Sequence, residues 1–290
     1  MSNAARTTLA TLVGEDVIAA LTMLDADPID AVCITGLPAE QTDRATFRIR
    51  LADGRVVKAR RFRRAAKAER FARIVRTLSH ERLRPPLLVA DRVSIEAWVD
   101  GTPVSALPRS TERLLQAADL LGSIHAPRTP FSGPSPSRST SALLASTRRR
   151  IADLGGRGVL TRAEVSVLLH VMQRLAPSAA EVGVTHNDFC AENLVEDARG
   201  SLVVVDNEGI RRGFLDYDLA RTWYRWPMAE DDWHAFAARY QSWRPESANA
   251  DAVVFWRIAA VVKSAHLRAA RRTADAALPI DRLRVLLDAL

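Results

Sequence analysis

Three polar side chains past the middle of the chain have the types and spacing that phosphoryl transfer requires. In Val184-Thr-His-Asn-Asp-Phe-Cys-Ala-Glu-Asn-Leu-Val195, His186 is followed by Asp188 and then Asn193, and Leu202-Val-Val-Val-Asp-Asn-Glu208 delivers Asp206. Moving a phosphoryl group asks little covalent chemistry of a protein. It needs a carboxylate that addresses the attacking hydroxyl as hydrogen-bond or proton acceptor and hard oxygen ligands that hold magnesium against the phosphates. The pattern H-x-D-x-x-x-x-N followed by D supplies that set, with Asp188 as the acceptor and Asn193 and Asp206 as metal ligands. Asp and Asn are also common turn residues, so one of them at a strand end would mean little; three at matched spacings mean more.

Those residues need a scaffold that holds a loop against a strand end. The stretch reads as a loop running into a strand, a turn through Glu196 to Ser201, and an apolar strand ending at Asp206. Upstream, residues 8–24 have the period of an amphipathic helix closed by Asp25 to Asp30, with Pro28. Ala31 to Thr35 is a short strand and Ala45 to Leu51 alternates as a half-buried one. Asp53-Gly54 then turns the chain into Arg55 to Phe62, completing an antiparallel meander. Residues 64–78 return to helical period with Ala68, Phe71, Ala72, Ile74, Val75 and Leu78 inside. Leu87 to Ala90 and Val93 to Trp98 add two strands, and residues 99–104 cross to a mainly helical remainder.

In that remainder Ser110 caps a helix to about His125, and a Pro- and Ser-rich segment covers 127–141. A helix over 139–153 stops at Gly155-Gly156. Thr161-x-x-Glu164 opens the next with a capping box, Leu160 and Val165 standing at its staple positions. Helices resume beyond Asp218, with 249–273 the longest. The expected division is therefore 1–98, a link at 99–104, and 105–290.

The chain has 290 residues, 48% of them hydrophobic, enough for one large domain or two lobes. No run of about 18 apolar residues occurs, and Glu15 and Asp16 interrupt the first apolar stretch, so the expectation is a soluble, cytoplasmic protein without membrane partners. Cys33 and Cys190 are too few for a disulfide framework. A net charge of +7, with Arg60 to Arg64 and Arg148 to Arg150 as patches, raises nucleic acid as a partner, but neither patch interleaves a set of aromatics as a stacking platform would need. Of 41 basic residues only Lys58, Lys67 and Lys263 are lysine, which makes each of them informative.

A strand lobe with one helix, a link, and a helical lobe carrying this hairpin resembles the aminoglycoside phosphotransferase and choline kinase family. The resemblance rests on His186 to Asn193, Val205-Asp-Asn-Glu208 and Asp216-Tyr-Asp218-Leu-Ala220. It implies an α+β, bilobal, protein-kinase-like fold with a small antiparallel N-terminal sheet. It also implies transfer of the γ-phosphate of ATP, with Mg2+, to a hydroxyl of a small molecule. Asp188 would accept a hydrogen bond from, or the proton of, the acceptor hydroxyl, and Asn193 and Asp206 would bind metal. Lys58, after Val56-Val57, would meet the phosphates with Glu69 of the following helix as its partner, or be a solvated strand lysine with Glu69 a surface charge. Adenine would lie against Ala97, Trp98 and Val99.

His186 reads as a loop-holding residue, with a base role as the alternative, and Asp218 as a cap or loop anchor. Glu208 would assist the metal or pair with an arginine. Trp223, Trp226, Glu230 and Asp231 would form an acceptor site for a cation such as an amino sugar or amino alcohol, unless the tryptophans are simply core. The loop Gly36 to Asp43 lacks a G-x-G-x-x-G run, and Asp206 to Asp218 is too short for an activation segment, which points away from protein substrates. An inactive nucleotide-binding scaffold and a basic nucleic-acid-binding protein are the competing functions.

Overall fold

The computed structural model describes residues 3–35, 45–78, 80–126, 139–244, 250–271 and 277–288. The loop 36–43 and residues 127–138 of the Pro- and Ser-rich segment lie outside them. Two compact units divide the chain: Met1–Leu107 with Glu192–Arg211, and Pro108–Ala191 with Arg212–Leu290. The boundary expected at 99–104 is close to the first break. The strand pair bearing Asn193 and Asp206, however, groups with the N-terminal unit.

In the first unit the strands β1 (Pro28–Cys33), β2 (Thr46–Leu51), β3 (Val56–Arg61), β4 (Leu88–Ala90) and β5 (Val93–Ala97) form one antiparallel sheet in the order β1-β2-β3-β5-β4. Alternation sets its faces: Phe47, Ile49 and Leu51 are buried while Arg48 and Arg50 are exposed. Each such fully buried side chain contributes about 1.5–3 kcal/mol. The inner face packs on Val13, Val17, Ile18 and Leu21. These belong to α1 (Asn3–Val13) and α2 (Glu15–Thr22), so the single helix expected over 8–24 is broken in two. The break is at Gly14, whose φ of 90 disfavours any other residue and where a Cβ would lie 2.0 Å from the Arg61 guanidinium. Pro28 opens β1 instead of closing the helix. Helix α3 (Ala65–Leu78) buries Ala68, Phe71, Ala72, Ile74 and Val75 as its period predicts, whereas Leu78, expected with them, ends the helix half-buried.

A second sheet, β6 (Thr102–Pro103), β8 (Leu194–Glu196) and β9 (Leu202–Val204), explains why the late hairpin belongs to this unit. At Gly101, φ 151, a Cβ would sit 2.2 Å from the Glu196 carbonyl, so only glycine lets the backbones approach this closely. Arg82 secures β9: its carbonyl accepts from the Val204 N–H (3.1 Å) and its guanidinium donates to the Leu202 carbonyl (3.1 Å).

The second unit is helical around a two-stranded pair of β7 (Val182–Thr185) and β10 (Arg211–Phe214). Its helices are α4 (Thr111–His125), α5 (Thr140–Gly156), α6 (Arg162–Arg174), α7 (Leu215–Arg225), α8 (Glu230–Gln241), α9 (Ala250–Arg271) and α10 (Ala277–Asp288). Ser110 caps α4 by accepting from the Arg113 N–H, and Thr161 and Glu164 form the capping box of α6. Helix α5 runs through Gly155 and Gly156 to an Arg157 cap instead of stopping before them. The core joins Ile151, Leu154, Leu168, Met172, Phe255, Ile258, Val261 and Leu283. Among the described residues no helix is long and apolar enough to cross a membrane.

Candidate active site

In the first unit, strand parity puts Lys58 and Arg60 on one face of β3, and both are buried. Lys58 Nζ lies 2.7 Å from Asp206 Oδ1, and Arg60 Nη2 meets the same oxygen. Arg60 Nη1 also holds Glu208 Oε2 at 3.1 Å, with Lys67 Nζ at 4.0 Å from that oxygen. Burial alone would raise the Asp206 pKa, but Arg60 and then Lys58 more than offset it and hold the carboxyl well below the usual range. Burial would likewise lower the Arg60 pKa, and Asp206, Glu96 and Glu208 turn the shift upward. Glu96 is buried directly across from Lys58 in the β3–β5 register and accepts from Ser94 Oγ at 3.0 Å.

The carboxylate that meets Lys58 is therefore Asp206, not Glu69. Glu69 is exposed on α3, and among the described residues it makes no ion pair. Asn193 is buried, and its carbonyl accepts from the Val205 N–H at 2.9 Å, which continues the Leu194–Val204 register and places it beside the residue preceding Asp206. Asp206 itself adopts the left-handed conformation, φ 59 and ψ 41, which Asp tolerates better than most residues.

Both cations sit on Oδ1 of Asp206; among the described residues none pairs with Oδ2. An ionised carboxylate with one oxygen unclaimed, next to a buried amide, fits magnesium, which needs only one or two protein oxygens besides phosphates and water. Trp98 is half-buried under the Arg48 guanidinium, 5.2 Å from its ring centroid, and its backbone N–H donates to the Val56 carbonyl at 3.1 Å. Ala97 ends β5, and Val99 follows Trp98 as a half-buried residue.

In the second unit Asp218, in the first turn of α7, is fully buried. Its Oδ2 accepts from the His186 N–H (2.6 Å) and meets His125 Nε2 (3.1 Å), while Oδ1 accepts from the Asn187 N–H (2.7 Å). Burial acts to raise its pKa, but the hydrogen bond and charge of His125 and the His186 contacts leave it lowered. His125 Nδ1 in turn meets Tyr240 Oη at 2.7 Å, and that phenol accepts from Arg244 Nη1 at 2.6 Å. Asn187 holds the positive φ of 68 that turns the loop, and its amide donates to Thr185 Oγ1 at 2.6 Å. His186 is buried and its Nδ1 accepts from the Asp188 N–H at 3.3 Å. Cys190 is a buried free cysteine.

Asp188 leaves this anchored loop with its side chain 40% exposed. Its Oδ1 meets Arg221 Nη2 at 3.3 Å and Arg225 Nε at 3.0 Å, two arginines one turn apart on α7. The residues expected to bind an acceptor lie otherwise. Trp223 has the Arg257 guanidinium 4.5 Å and the Arg282 guanidinium 4.6 Å from its ring centroid and packs against the helical core. Trp226 contacts Phe236 edge-on at 6.2 Å. Glu230 and Asp231 are exposed in the first turn of α8.

Sequence reading missed Arg60, Glu96, His125, Tyr240, Arg221 and Arg225. Arg60 was visible as the residue two after Lys58 on a strand, and Arg221 and Arg225 as an i, i+4 pair beside Asp218. Nothing local marked His125 or Tyr240, whose roles arise from packing.

Residues 34–253 match the family described as the phosphotransferase enzyme family. The chain belongs to that family. Curated protein sequences gave no match. Among solved structures, a choline kinase from Streptococcus pneumoniae is similar with a TM-score of 0.72 at 12% identity, covering 98% of this chain and 100% of that one. An aminoglycoside-3'-phosphotransferase of type VIII is similar with a TM-score of 0.59 at 20% identity, covering 84% and 98%. A putative fructosamine-3-kinase from Thermobifida fusca gives 0.65 at 18%, covering 95% and 99%. These likenesses establish the α+β, protein-kinase-like fold expected from the motifs.

Proposed function

We propose that this member of the family is an ATP-dependent phosphotransferase that uses Mg2+ and transfers the γ-phosphate to a hydroxyl of a small molecule. The observation that carries the reading is Asp206, ionised at the end of β9 and joined at 2.7 Å to the buried Lys58. A compact ammonium suits phosphate as a point charge, and the neighbouring carboxylate and Asn193 suit the magnesium that accompanies it. Mg2+ supplies charge neutralisation on the phosphates. Residues 1–98 act as the nucleotide-binding lobe in this reading, with Ala97, Trp98 and Val99 against adenine, and Glu208 steadies Arg60.

In the transfer, the acceptor oxygen bonds to the γ-phosphorus while the bond to the bridging oxygen breaks and its electron pair leaves with ADP. The hydroxyl proton passes to Asp188, held in place by the loop that Asp218 and His186 anchor. General-base help of this kind is worth about 10²–10⁴ in rate, and positioning and charge neutralisation supply the rest. The test is thermal-shift titration with ATP and with GTP, with and without magnesium, alongside turnover of Asp188→Asn. A magnesium-dependent shift with ATP is expected, and absence of any nucleotide shift refutes the reading. A shift with no turnover on any hydroxyl compound supports the inactive scaffold instead.

A further inference from the structure

We infer that the acceptor carries an anionic group, a carboxylate or a phosphate ester, beside its reacting hydroxyl, and that Arg221 and Arg225 receive it; this rests on the phosphotransferase reading above. The two guanidiniums converge on one oxygen of Asp188, at 3.3 and 3.0 Å. Arg221 Nε is buried without a hydrogen-bond partner. Asp188 and Arg225 are 40% and 32% exposed, so a ligand can reach them. A cationic acceptor would meet two like charges there. The aromatic and buried acidic features that would draw a cation are otherwise engaged, which leaves the exposed Glu230 and Asp231: Trp223 is covered by Arg257 and Arg282, Trp233 stacks on Phe236 at 5.6 Å, and the buried Asp232 pairs with Arg109 at 2.5 Å. Burial and then Arg282 hold the Arg257 pKa down, as expected of a crowded cationic neighbourhood.

Guanidinium pairs carboxylate and phosphate through parallel hydrogen bonds, so an anionic group on the acceptor competes with Asp188 for both arginines. Exchange of partners leaves the Asp188 carboxylate to take the hydroxyl proton as the new bond to the γ-phosphorus forms and ADP departs. The anionic group itself is unchanged. Arginine thus reads the acceptor and releases the base in one event.

The experiment measures binding by calorimetry in the presence of Mg2+ and a non-hydrolysable ATP analogue. The probes are glycerate, glycerol 3-phosphate, uncharged glycerol, choline and ethanolamine. Wild-type protein should bind at least one anionic probe about tenfold or more tightly than glycerol, and the Arg221→Gln/Arg225→Gln variant should lose that preference. Glycerate against glycerol 3-phosphate distinguishes carboxylate from phosphate. Arg221→Lys/Arg225→Lys, which keeps charge without the planar fork, should retain an intermediate preference and guards against misfolding of the Gln variant. Choline or ethanolamine binding as well as the anions, no anion binding better than glycerol, or an anion preference surviving in the Gln variant overturns the inference. Loss of nucleotide affinity in that variant, with acceptor affinity kept, assigns the arginines to the nucleotide and also overturns it. A missing ATP shift in the wild type refutes phosphotransfer itself, whereas an ATP shift with cation preference refutes only the acceptor class.

Discussion

Replacing Asp218 with asparagine removes a charge at constant shape and tests whether the catalytic loop hangs from one buried carboxylate. The His186 and Asn187 N–H groups donate to different oxygens, Oδ2 and Oδ1, at 2.6 and 2.7 Å. Whichever way the new amide faces, its NH2 therefore confronts one of these donors. Placing the NH2 at the Oδ1 position keeps the His186 and His125 contacts and orphans the Asn187 N–H, at a cost of about 1–3 kcal/mol. The two surviving bonds lose charge assistance, about 1 kcal/mol each. Relief of the desolvation of a fully buried charge returns part of this, leaving a loss of about 3 kcal/mol. Urea unfolding followed by tryptophan fluorescence gives the stability, and turnover on an identified acceptor gives the function. Both should fall, turnover by more than the unfolded fraction explains. A loss under about 1 kcal/mol with turnover intact would refute the anchoring role.

Arg60→Met should destabilise by about 2 kcal/mol, less than the usual cost of breaking a buried pair because Asp206 keeps Lys58 and is half exposed; an unchanged urea midpoint and an unchanged magnesium–ATP shift would contradict this. The folded-state pKa values of Asp206 and Asp218 are lowered, so their contributions are complete above the unfolded carboxyl value of about 3.9 and disappear as pH falls below it. Stability of the wild type minus that of Asp206→Asn should be constant from pH 7 to about 5 and shrink toward pH 3, and a difference that grows on acidification would be wrong in sign. Gly122→Ala places a Cβ 2.5 Å from the Trp243 ring, so overpacking of about 1–3 kcal/mol should exceed the helix-propensity gain of about 1 kcal/mol, giving a lower melting temperature. Gly14→Ala should lower it too, through the φ of 90 and the contact with Arg61, and a higher melting temperature would show that the break between α1 and α2 is dispensable.

Much of the scaffold was legible because it follows local rules. The Asp53-Gly54 turn fixed the β2–β3 hairpin, alternation fixed which side of β2 is inside, and Thr161-x-x-Glu164 fixed the start of α6. Where a local signal competes with tertiary packing, reading fails. Gly14 sits inside an unbroken helical period, and only Arg61 packing beside it shows why the helix must break. Glu69 is the expected partner of Lys58 by analogy, yet it lies on the exposed side of α3 with Arg73 and Arg76 one and two turns on. The candidate residues of the loop were legible in their spacing, whereas their electrostatic setting was not. That setting comes from side chains far away in sequence, as with Arg60 and Asp206, separated by 146 residues.

The pairing of β6 with β8 also dictates an order of events during synthesis. Lys58 reaches its carboxylate only across 148 residues of chain. At a translation rate of about 5–20 residues per second, Lys58 waits roughly 7–30 s for Asp206 to be made. Until then Lys58 and Arg60 lack the carboxylate they meet in the folded unit, whereas Val57, Ala59, Val93 and Ile95 on the other face pack with α1 and α2, which precede them in the chain. The late hairpin thus completes the polar face of a sheet whose apolar core is already assembled from residues made before it.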